Sequence, residues 1–430
     1  MNLIVKNEDR AVLGILFVCK FVLLKSYRNS HFMIDTIKTV GIYFFISTLL
    51  IGCYESFGGL KPGYDTKEAK DLSAICAGYT FYDLYGSDSA MIPSGYEKRY
   101  TSKVIGLDNQ FQIFKNQDGI GVIHFRGSTS EISSWVENMY SAMIPATGVI
   151  KVNGVEHAYS FANDPGASVH SGYALAIVLM SDELMQQIDL LKTDGVTELL
   201  ICGHSQGGAL TNLAKAYLEN MSRYKLLVDM KFKAYAFANP MCGNDKFAAE
   251  FIDRFGGQGW SFSTVNPADM VIHMPVHYQE TNPFSLNSFK EALYSGQPLN
   301  FRKMGMDLLI QKFEPTVTSY IQTSNKIIDK FVYTTHNMVK MPEYTEDINY
   351  FELETVISLP PFEYPKVKLD TAGMSPLELA ANPVDDDGNY YRKEPAFFQH
   401  KPYNYYVAIL KKYYRDEYEA LDVKYLPENL

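Results

Sequence analysis

The stretch that decides the expected fold is Leu199-Leu200-Ile201-Cys202-Gly203-His204-Ser205-Gln206-Gly207-Gly208-Ala209-Leu210. It begins with an apolar run typical of a buried strand and continues into small residues that favour a helix packed closely on a sheet. A Gly-x-Ser-x-Gly pattern between a strand and a helix indicates a nucleophile elbow, a strained turn in which the flanking glycines leave room for an exposed serine hydroxyl. We therefore predict that Ser205 is a nucleophile beside a helix N-terminus, which stabilises developing negative charge.

Outside this stretch, short apolar runs alternate with segments of helical periodicity. The predicted strands are 103–107, 110–115, 120–125, 198–202, 232–238 and 261–265, and the predicted helices are 65–85, 171–192 and 207–220. Alternation of strands and helices favours a mostly parallel sheet covered by helices on both faces. We predict an α/β fold of this kind.

Composition excludes several classes of protein. With 430 residues, 47% hydrophobic and 20% charged, the chain has the composition of a globular protein and is neither disordered nor a polytopic membrane protein. A net charge of −10 disfavours nucleic acid as a partner because it repels phosphate backbones. Five cysteines form no CxxC pair and no zinc-binding spacing, so we expect no metal site and no disulfide framework. We also expect no cofactor. The sequence gives no indication of oligomeric state.

The first 53 residues are expected to be a targeting segment. The apolar runs 11–24 and 39–53 are both shorter than the roughly 20 residues of a membrane-spanning helix. The second run resembles a signal peptide, and its end, Leu50-Ile51-Gly52-Cys53, resembles a bacterial lipobox with Cys53 as the lipidated residue. Translation from Met33 would make residues 1–32 an upstream extension. An uncleaved anchor and cleavage at another position are the alternatives.

A serine nucleophile needs a base, and the base needs an orienting acid. In α/β-hydrolases the acid follows the serine along the chain, and the histidine comes last. Asp269 follows an apolar strand and a turn, which makes it the expected acid. Of the four later histidines, His273 and His277 are too close to Asp269 in sequence, and His336 lies within an amphipathic stretch. His400, before a predicted final helix over 403–418, is the expected base.

Several further blocks of sequence resemble the fungal-type (class 3) lipases, and they occur in that family's order over residues 65–415. These blocks are His124-Phe125-Arg126-Gly127-Ser128 with Trp135 and Asn138, then His170-Ser171-Gly172-Tyr173, 203–210, Ala236-Phe237-Ala238-Asn239-Pro240 with Gly243-Asn244, 265–271, and His400 with Tyr405. The resemblance implies an α/β-hydrolase that cleaves carboxylic esters of lipids at a membrane or micelle interface.

The resemblance also implies roles for individual residues. Ser205 attacks the ester carbonyl, His400 takes the serine proton, and Asp269 holds the imidazole. The oxyanion is held by the backbone N–H of Gln206 and by Ser128, whose backbone N–H and hydroxyl are both candidates. The residues expected to form the lid or to line the substrate site are Trp135, Ile132, Met139 and His204.

The expected organisation places the hydrolase core at 60–280, a helical cap insertion at 281–370, and the part of the core that carries the histidine at 371–430. Interfacial opening of 132–144 as a lid is a further hypothesis. The acidic run 385–389 has a calcium-like composition without the full loop spacing, which favours a solvated turn.

Other functions remain open at this point. Phospholipase A or short-chain carboxylesterase activity needs the same catalytic residues, and an acyltransferase differs in its acceptor. A non-catalytic hydrolase scaffold that binds partners in the cell envelope is the rival outside enzymes. The first expectation is a lipid esterase, lipid-anchored at a bacterial envelope or secreted.

Overall fold

A seven-stranded sheet forms the centre of the computed structural model, which describes residues 59–223, 227, 229–275, 317–353, 355–395 and 397–426. The spatial order is β1-β2-β3-β8-β9-β10-β12. These strands are β1 (Tyr96–Thr101), β2 (Phe111–Asn116), β3 (Gly121–Phe125), β8 (Glu198–His204), β9 (Lys231–Phe237), β10 (Ser261–Val265) and β12 (Val356–Ser358). The first two pairings are antiparallel and the other four are parallel, which confirms the predicted mostly parallel sheet.

Alternation of side chains along the central strands divides the core into two layers. In β8, Leu199 and Ile201 pack into one apolar layer, while Leu200 and Cys202 pack into the other. Successive strand residues point to opposite faces, so these fully buried strands carry apolar side chains at every position.

Helices cover both faces of the sheet. They are α1 (Thr66–Tyr85), α2 (Ile132–Met139), α3 (Ser171–Thr193), α4 (Gln206–Arg223), α5 (Asp245–Phe251), α6 (Val317–Thr335), α7 (Pro376–Ala380), α8 (Pro402–Tyr413) and α9 (Arg415–Glu419). Residues of α3, α4 and α6 fill one layer, and residues of α1 and α8 fill the other. None of the helices in the described ranges is long and apolar enough to cross a lipid bilayer.

Two smaller sheets are formed by four strands that lie between β3 and α3 in sequence and by one strand that follows α6. The strands are β4 (Met143–Pro145), β5 (Thr147–Val152), β6 (Val155–Ser160), β7 (Ser168–His170) and β11 (Val339–Lys340). β4 pairs with β7, and β6, β5 and β11 form an antiparallel sheet. The pairing of β11 with β5 joins the segment after α6 to this region.

The stretch 281–370, expected to be a helical cap, is described only from Val317 onward. Its helix α6 packs into the core through Ile327 and Phe331, in keeping with the predicted apolar stripe. The same stretch also contains β12, which adds an edge strand to the central sheet beside β10. The domain boundaries stay predictions, and the targeting segment with Cys53 lies outside the described residues.

Two local predictions were wrong. The predicted strand 103–107 is a turn, because Gly106 and Asp108 both adopt positive φ, and the chain forms the edge strand β1 before it. The predicted helix 403–418 is interrupted at Tyr414, where φ is −134° and ψ is 62°, so that α8 and α9 are separate helices.

Docking of α6 on the core is tested by two aromatic residues of that helix. Phe331 is 1% exposed and Tyr333 is 84% exposed. Phe331→Ala is expected to lower the free energy of unfolding by about 3–5 kcal/mol through lost burial and a cavity, whereas Tyr333→Ala changes it by about 0.5 kcal/mol or less. Urea unfolding of both variants measures the difference, and equal losses would show that α6 is not docked as described.

Candidate active site

The turn between β8 and α4 presents Ser205 with a left-handed backbone, at φ +60°. Such a conformation is strained for a serine and persists only where the surroundings hold it. Ser205 N–H donates to Phe237 O at 2.9 Å, which ties the turn to the neighbouring strand. A Cβ on Gly203 would lie 2.2 Å from Gly207 O, and one on Gly207 would lie 2.3 Å from Phe125 O. Glycine is therefore required at both positions because backbones approach each other there.

His400 joins the serine to an acid. Its Nε2 lies 2.8 Å from Ser205 Oγ, and its Nδ1 lies 2.7 Å from Asp269 Oδ2. Asp269 follows β10, and His400 ends a short 3₁₀ turn just before α8. The three residues that the sequence singled out as nucleophile, base and acid therefore form one continuous hydrogen-bonded chain.

Asp269 is held from several directions. It is 1% exposed, and its Oδ1 accepts a hydrogen bond from Val271 N–H at 2.9 Å. Its Oδ2 accepts a second bond from the Tyr405 hydroxyl at 2.8 Å, and that hydroxyl accepts a bond from Asn266 N–H at 3.0 Å. A carboxylate fixed in this way faces His400 in one orientation, which favours the imidazole tautomer with the proton on Nδ1.

Ser128 and Gln206 lie beside the serine, as expected for an oxyanion hole. The Ser128 hydroxyl donates to Gln206 Oε1 at 2.8 Å. A Cβ on Gly127 would lie 2.8 Å from His204 O, so the loop that carries Ser128 rests directly on the elbow. As the first residue of α4, Gln206 has a backbone N–H with no intrahelical acceptor, and the helix N-terminus favours negative charge there.

The residues expected to form the lid or line the substrate site are found in different environments. Trp135 is half-buried, with its ring centroid 6.2 Å from that of Phe397, which in turn lies 6.3 Å from the His400 ring. Met139 is half-buried and packs on the main core, and only the backbone position of Ile132, at the start of α2, is described. The rings of Trp135 and Phe397 thus form an apolar surface next to His400.

His204 differs from its expected place at the substrate. It is 4% exposed and lies inside the protein, with its ring centroid 4.7 Å from that of His400. Burial, and secondarily the nearby His400, lower its pKa well below the usual value, so it stays neutral. Since successive residues of β8 point to opposite faces, the side chain before the turn enters the core.

The hypothetical lid 132–144 is also more buried than expected. Met143 and Ile144 have 0% exposure and belong to the paired strand β4. The Tyr350 hydroxyl donates to Ser141 O at 2.7 Å, and Thr345 N–H donates to Met143 O at 2.9 Å. Opening of this segment at an interface would therefore involve α2 and leave the strand in place.

Sequence reasoning missed two polar residues that lie close to the elbow. Glu137 and Asn109 are 1% and 3% exposed, and both contact the Gln206 side chain. Burial raises the pKa of Glu137 to about 8. Glu137 could have been found from the sequence, because it is a glutamate between the apolar positions Val136 and Met139 of a short amphipathic helix.

Of the remaining histidines after Asp269, the two that the structure describes have other environments than the serine. His273 pairs with Glu352 at 3.3 Å, and this contact raises the pKa of His273. His336 is exposed at the end of α6, and His277 lies outside the described residues.

Within the described ranges, no group of three His, Cys, Asp or Glu side chains is arranged to hold a metal ion. The carboxylate of Asp385 accepts bonds from Asn389 N–H at 2.8 Å and from the Tyr391 hydroxyl at 2.8 Å. Donors of its own loop thus satisfy Asp385, as in a structural turn.

Comparison with known proteins finds similarity to lipases. Residues 122–279 match the family model described as Lipase (class 3), which confirms the resemblance inferred from the sequence. The chain is 27% identical over 161 residues to a "Secreted mono- and diacylglycerol lipase LIP4" of Malassezia restricta, covering 37% of this chain and 48% of the relative. The chain thus spans about half the length of the curated relative it matches.

Solved structures of lipases also match. A fungal lipase in complex with an inhibitor is 18% identical, with 49% of this chain and 74% of the other covered and a TM-score of 0.37. A triacylglycerol lipase described as having a serine protease triad is 19% identical, with 50% and 77% covered and a TM-score of 0.37. The lipase of Rhizopus microsporus var. chinensis is 22% identical, with 49% and 69% covered and a TM-score of 0.35.

The bond from Tyr405 to Asp269 is tested with Tyr405→Phe. The change leaves Asn266 N–H without its acceptor and removes a donor from Asp269, so we expect a loss of about 1–3 kcal/mol in stability. We also expect Ser205 to react about 10-fold more slowly with a fluorophosphonate, equivalent to about 1.4 kcal/mol. The control is Tyr403→Phe, which removes a 2.6 Å bond to Val423 O away from the site. Equal slowing in both variants would contradict a specific role for Tyr405.

Proposed function

We propose that the protein is a serine hydrolase that cleaves carboxylic esters of lipids. The observation that carries the proposal is the continuous chain of short contacts from Ser205 Oγ through His400 to Asp269. Along the sequence, His400 is 195 residues from Ser205 and 131 residues from Asp269. A glycine-rich turn with only a structural role would not require a histidine and an aspartate in contact with its serine.

The reaction proceeds in two halves. His400 Nε2 takes the proton of Ser205 as Oγ bonds to the ester carbonyl carbon, and the carbonyl oxygen becomes an oxyanion. The oxyanion accepts hydrogen bonds from the Gln206 N–H and from Ser128. Collapse of this intermediate breaks the bond to the alkoxy oxygen, which leaves as an alcohol with the proton from His400. Water then attacks the acyl-enzyme with the same base, which releases the acid and restores Ser205.

A lipid ester is supported as the substrate class by two observations. The match over residues 122–279 is to a lipase family, and the Malassezia relative is described as a mono- and diacylglycerol lipase. The apolar rings of Trp135 and Phe397 beside His400 suit an acyl chain better than a polar substrate. Phospholipase A and short-chain carboxylesterase activities use the same triad and are the alternative substrate preferences.

Substrate profiling separates these possibilities. The purified protein and its Ser205→Ala variant are assayed on p-nitrophenyl esters from acetate to palmitate, with triolein and phosphatidylcholine alongside. We expect activity that rises with chain length and falls at least about 10,000-fold in Ser205→Ala, as for other triads. The exposed Ser87 supplies the control variant Ser87→Ala, which keeps full activity.

Each other outcome has its own meaning. Serine-dependent activity confined to short chains indicates a general esterase, and preference for phosphatidylcholine indicates a phospholipase. Preference for alcohol acceptors over water indicates an acyltransferase. If the protein shows neither activity nor fluorophosphonate labelling, the enzyme proposal is refuted and the non-catalytic binding scaffold is the remaining alternative.

We further propose that the protein is exported and held at a membrane through a lipid on Cys53. The lipobox-like end of the segment 39–53 supports this location, and the relative in Malassezia is described as secreted. Growth with radiolabelled palmitate is expected to label the wild type and Cys19→Ser and to leave Cys53→Ser unlabelled. Label retained in Cys53→Ser would contradict lipidation at this position.

A further inference from the structure

Glu137 is a buried carboxyl group that the triad does not use. It lies on α2, is 1% exposed, and forms no ion pair with any Lys or Arg within the described part of the chain. Burial raises its pKa to about 8. Burying such a group without a cationic partner costs stability unless hydrogen bonds compensate, which makes its hydrogen-bond partners informative.

The partners of Glu137 lead directly to the elbow. Its Oε1 accepts from Gln206 Nε2, and its Oε2 accepts from Asn109 Nδ2. Gln206 follows Ser205 in sequence, and its backbone N–H is the proposed oxyanion donor. Glu137 therefore holds the side chain of the residue that supplies this donor.

The other end of the Gln206 amide holds Ser128. Gln206 Oε1 accepts hydrogen bonds from Ser128 Oγ at 2.8 Å, Ser134 Oγ at 3.0 Å and Asn138 Nδ2 at 3.4 Å. A carbonyl oxygen has two lone pairs, so three donors are one more than it accommodates well. The Ser128 hydroxyl can therefore turn to another acceptor while Gln206 Oε1 stays satisfied.

Asn138 fixes the position of the Ser128 oxygen itself. Asn138 Nδ2 donates to Ser128 Oγ at 2.9 Å, and Asn138 Oδ1 accepts from the Tyr173 hydroxyl at 2.9 Å. The hydrogen bond from Asn138 thus holds Ser128 Oγ in place, while the hydroxyl proton of Ser128 is able to point to Gln206 Oε1 or to another acceptor. A hydroxyl that accepts one hydrogen bond also donates more strongly in the next one.

We propose that Glu137 is a positioning residue for the oxyanion hole: by fixing the Gln206 amide, it keeps the Ser128 hydroxyl ready to turn from Gln206 Oε1 to the oxyanion. The inference rests on the proposed esterase function. No covalent bond changes, since one hydrogen bond of Ser128 is exchanged for another. Donors fixed before the reaction avoid a reorganisation cost in the transition state.

The role requires an acceptor oxygen opposite Gln206 Nε2, which suggests a pair of variants. Glu137→Met keeps the approximate length of the side chain and removes the acceptor. Glu137→Gln keeps one acceptor oxygen, and its amide N–H₂ can donate to Asn109 if that amide turns over. On p-nitrophenyl butyrate we expect Glu137→Met to lower kcat by about 10- to 100-fold with KM within about threefold, because the effect arises in the transition state. Glu137→Gln is expected to keep kcat within about threefold.

A second comparison tests whether Glu137 acts through Ser128. Ser128→Ala removes the hydroxyl and is expected to cost about 100- to 1,000-fold in kcat. If Glu137 acts by placing this hydroxyl, adding Glu137→Met to the Ser128→Ala variant lowers kcat by a further factor of less than about three. The reason is that the effects of residues that act together are not additive. Glu131→Gln, on an exposed glutamate just before α2, is the matched control and leaves kcat unchanged.

Two outcomes would overturn the inference while the proposed function stands. One is a kcat of Glu137→Met within threefold of an active wild type. The other is the same fold-loss in both backgrounds, which would show that Glu137 does not act through Ser128. A wild type with no Ser205-dependent activity would refute the proposed function and this inference with it. Thermal melting establishes that each variant folds. If Glu137→Met does not fold, Glu137→Leu and Gln206→Met are compared, the second of which removes both the bond to Glu137 and the acceptor of Ser128; a loss of kcat in either that is equally large in the Ser128→Ala background would overturn the inference.

Discussion

The close approach of backbones at the elbow is the constraint on which the rest of the site depends. Gly203 and Gly207 allow β8 to turn into α4 against the end of β3, in a space where a Cβ would lie 2.2 to 2.3 Å from carbonyl atoms. The turn forces Ser205 to φ +60°, and this strain is held in place by the hydrogen bond to Phe237 and by packing of the sheet. Because the sheet is mostly parallel, the carboxyl ends of β3, β8 and β10 lie at one edge. The loops after these strands therefore deliver Ser128, Ser205 and Asp269 to the same place.

Buried polar groups give the site its rigidity. Asp269 is bound by Tyr405 and Val271, while Gln206 is bound by Glu137 and receives hydrogen bonds from the loop that carries Ser128. Each of these groups would cost free energy if it were buried without partners, so the fold is stable only when the partners are in place. Two networks thus meet at the serine, one around His400, the proposed base, and one around Gln206 and Ser128, the proposed donors to the oxyanion. Both consist of contacts between groups of the protein itself, which is what electrostatic preorganisation requires.

Local signals in the sequence predicted the elements that form the core. Apolar runs placed β8, β9 and β10 to within two residues, and helical periodicity placed α1, α3 and α4 to within three, because buried strands and the buried faces of helices leave little choice of side chain. Errors occurred where the pattern was weaker. The edge strand β1 alternates half-buried and exposed residues and carries charges, and the apolar run at 103–107 turns at Gly106. His204 was expected to line the substrate site, but the two-residue period of the strand directs its side chain into the interior.

The sequence by itself determined the strand, turn and helix around Ser205, the mostly parallel sheet, and the identity of Asp269 and His400 as the acid and base to test. Motifs carry this information for two reasons. Glycine is needed where backbones approach each other closely, and the loops that carry the serine, the acid and the histidine follow one another in a fixed order along the chain. Only the tertiary structure decided what surrounds these residues. Glu137, Asn109 and Gln206 come from separate parts of the chain, and their contacts depend on how α2 and the turn before β2 pack on the elbow. Burial and hydrogen bonding between residues distant in sequence are properties of the assembled core, and no spacing along the chain records them.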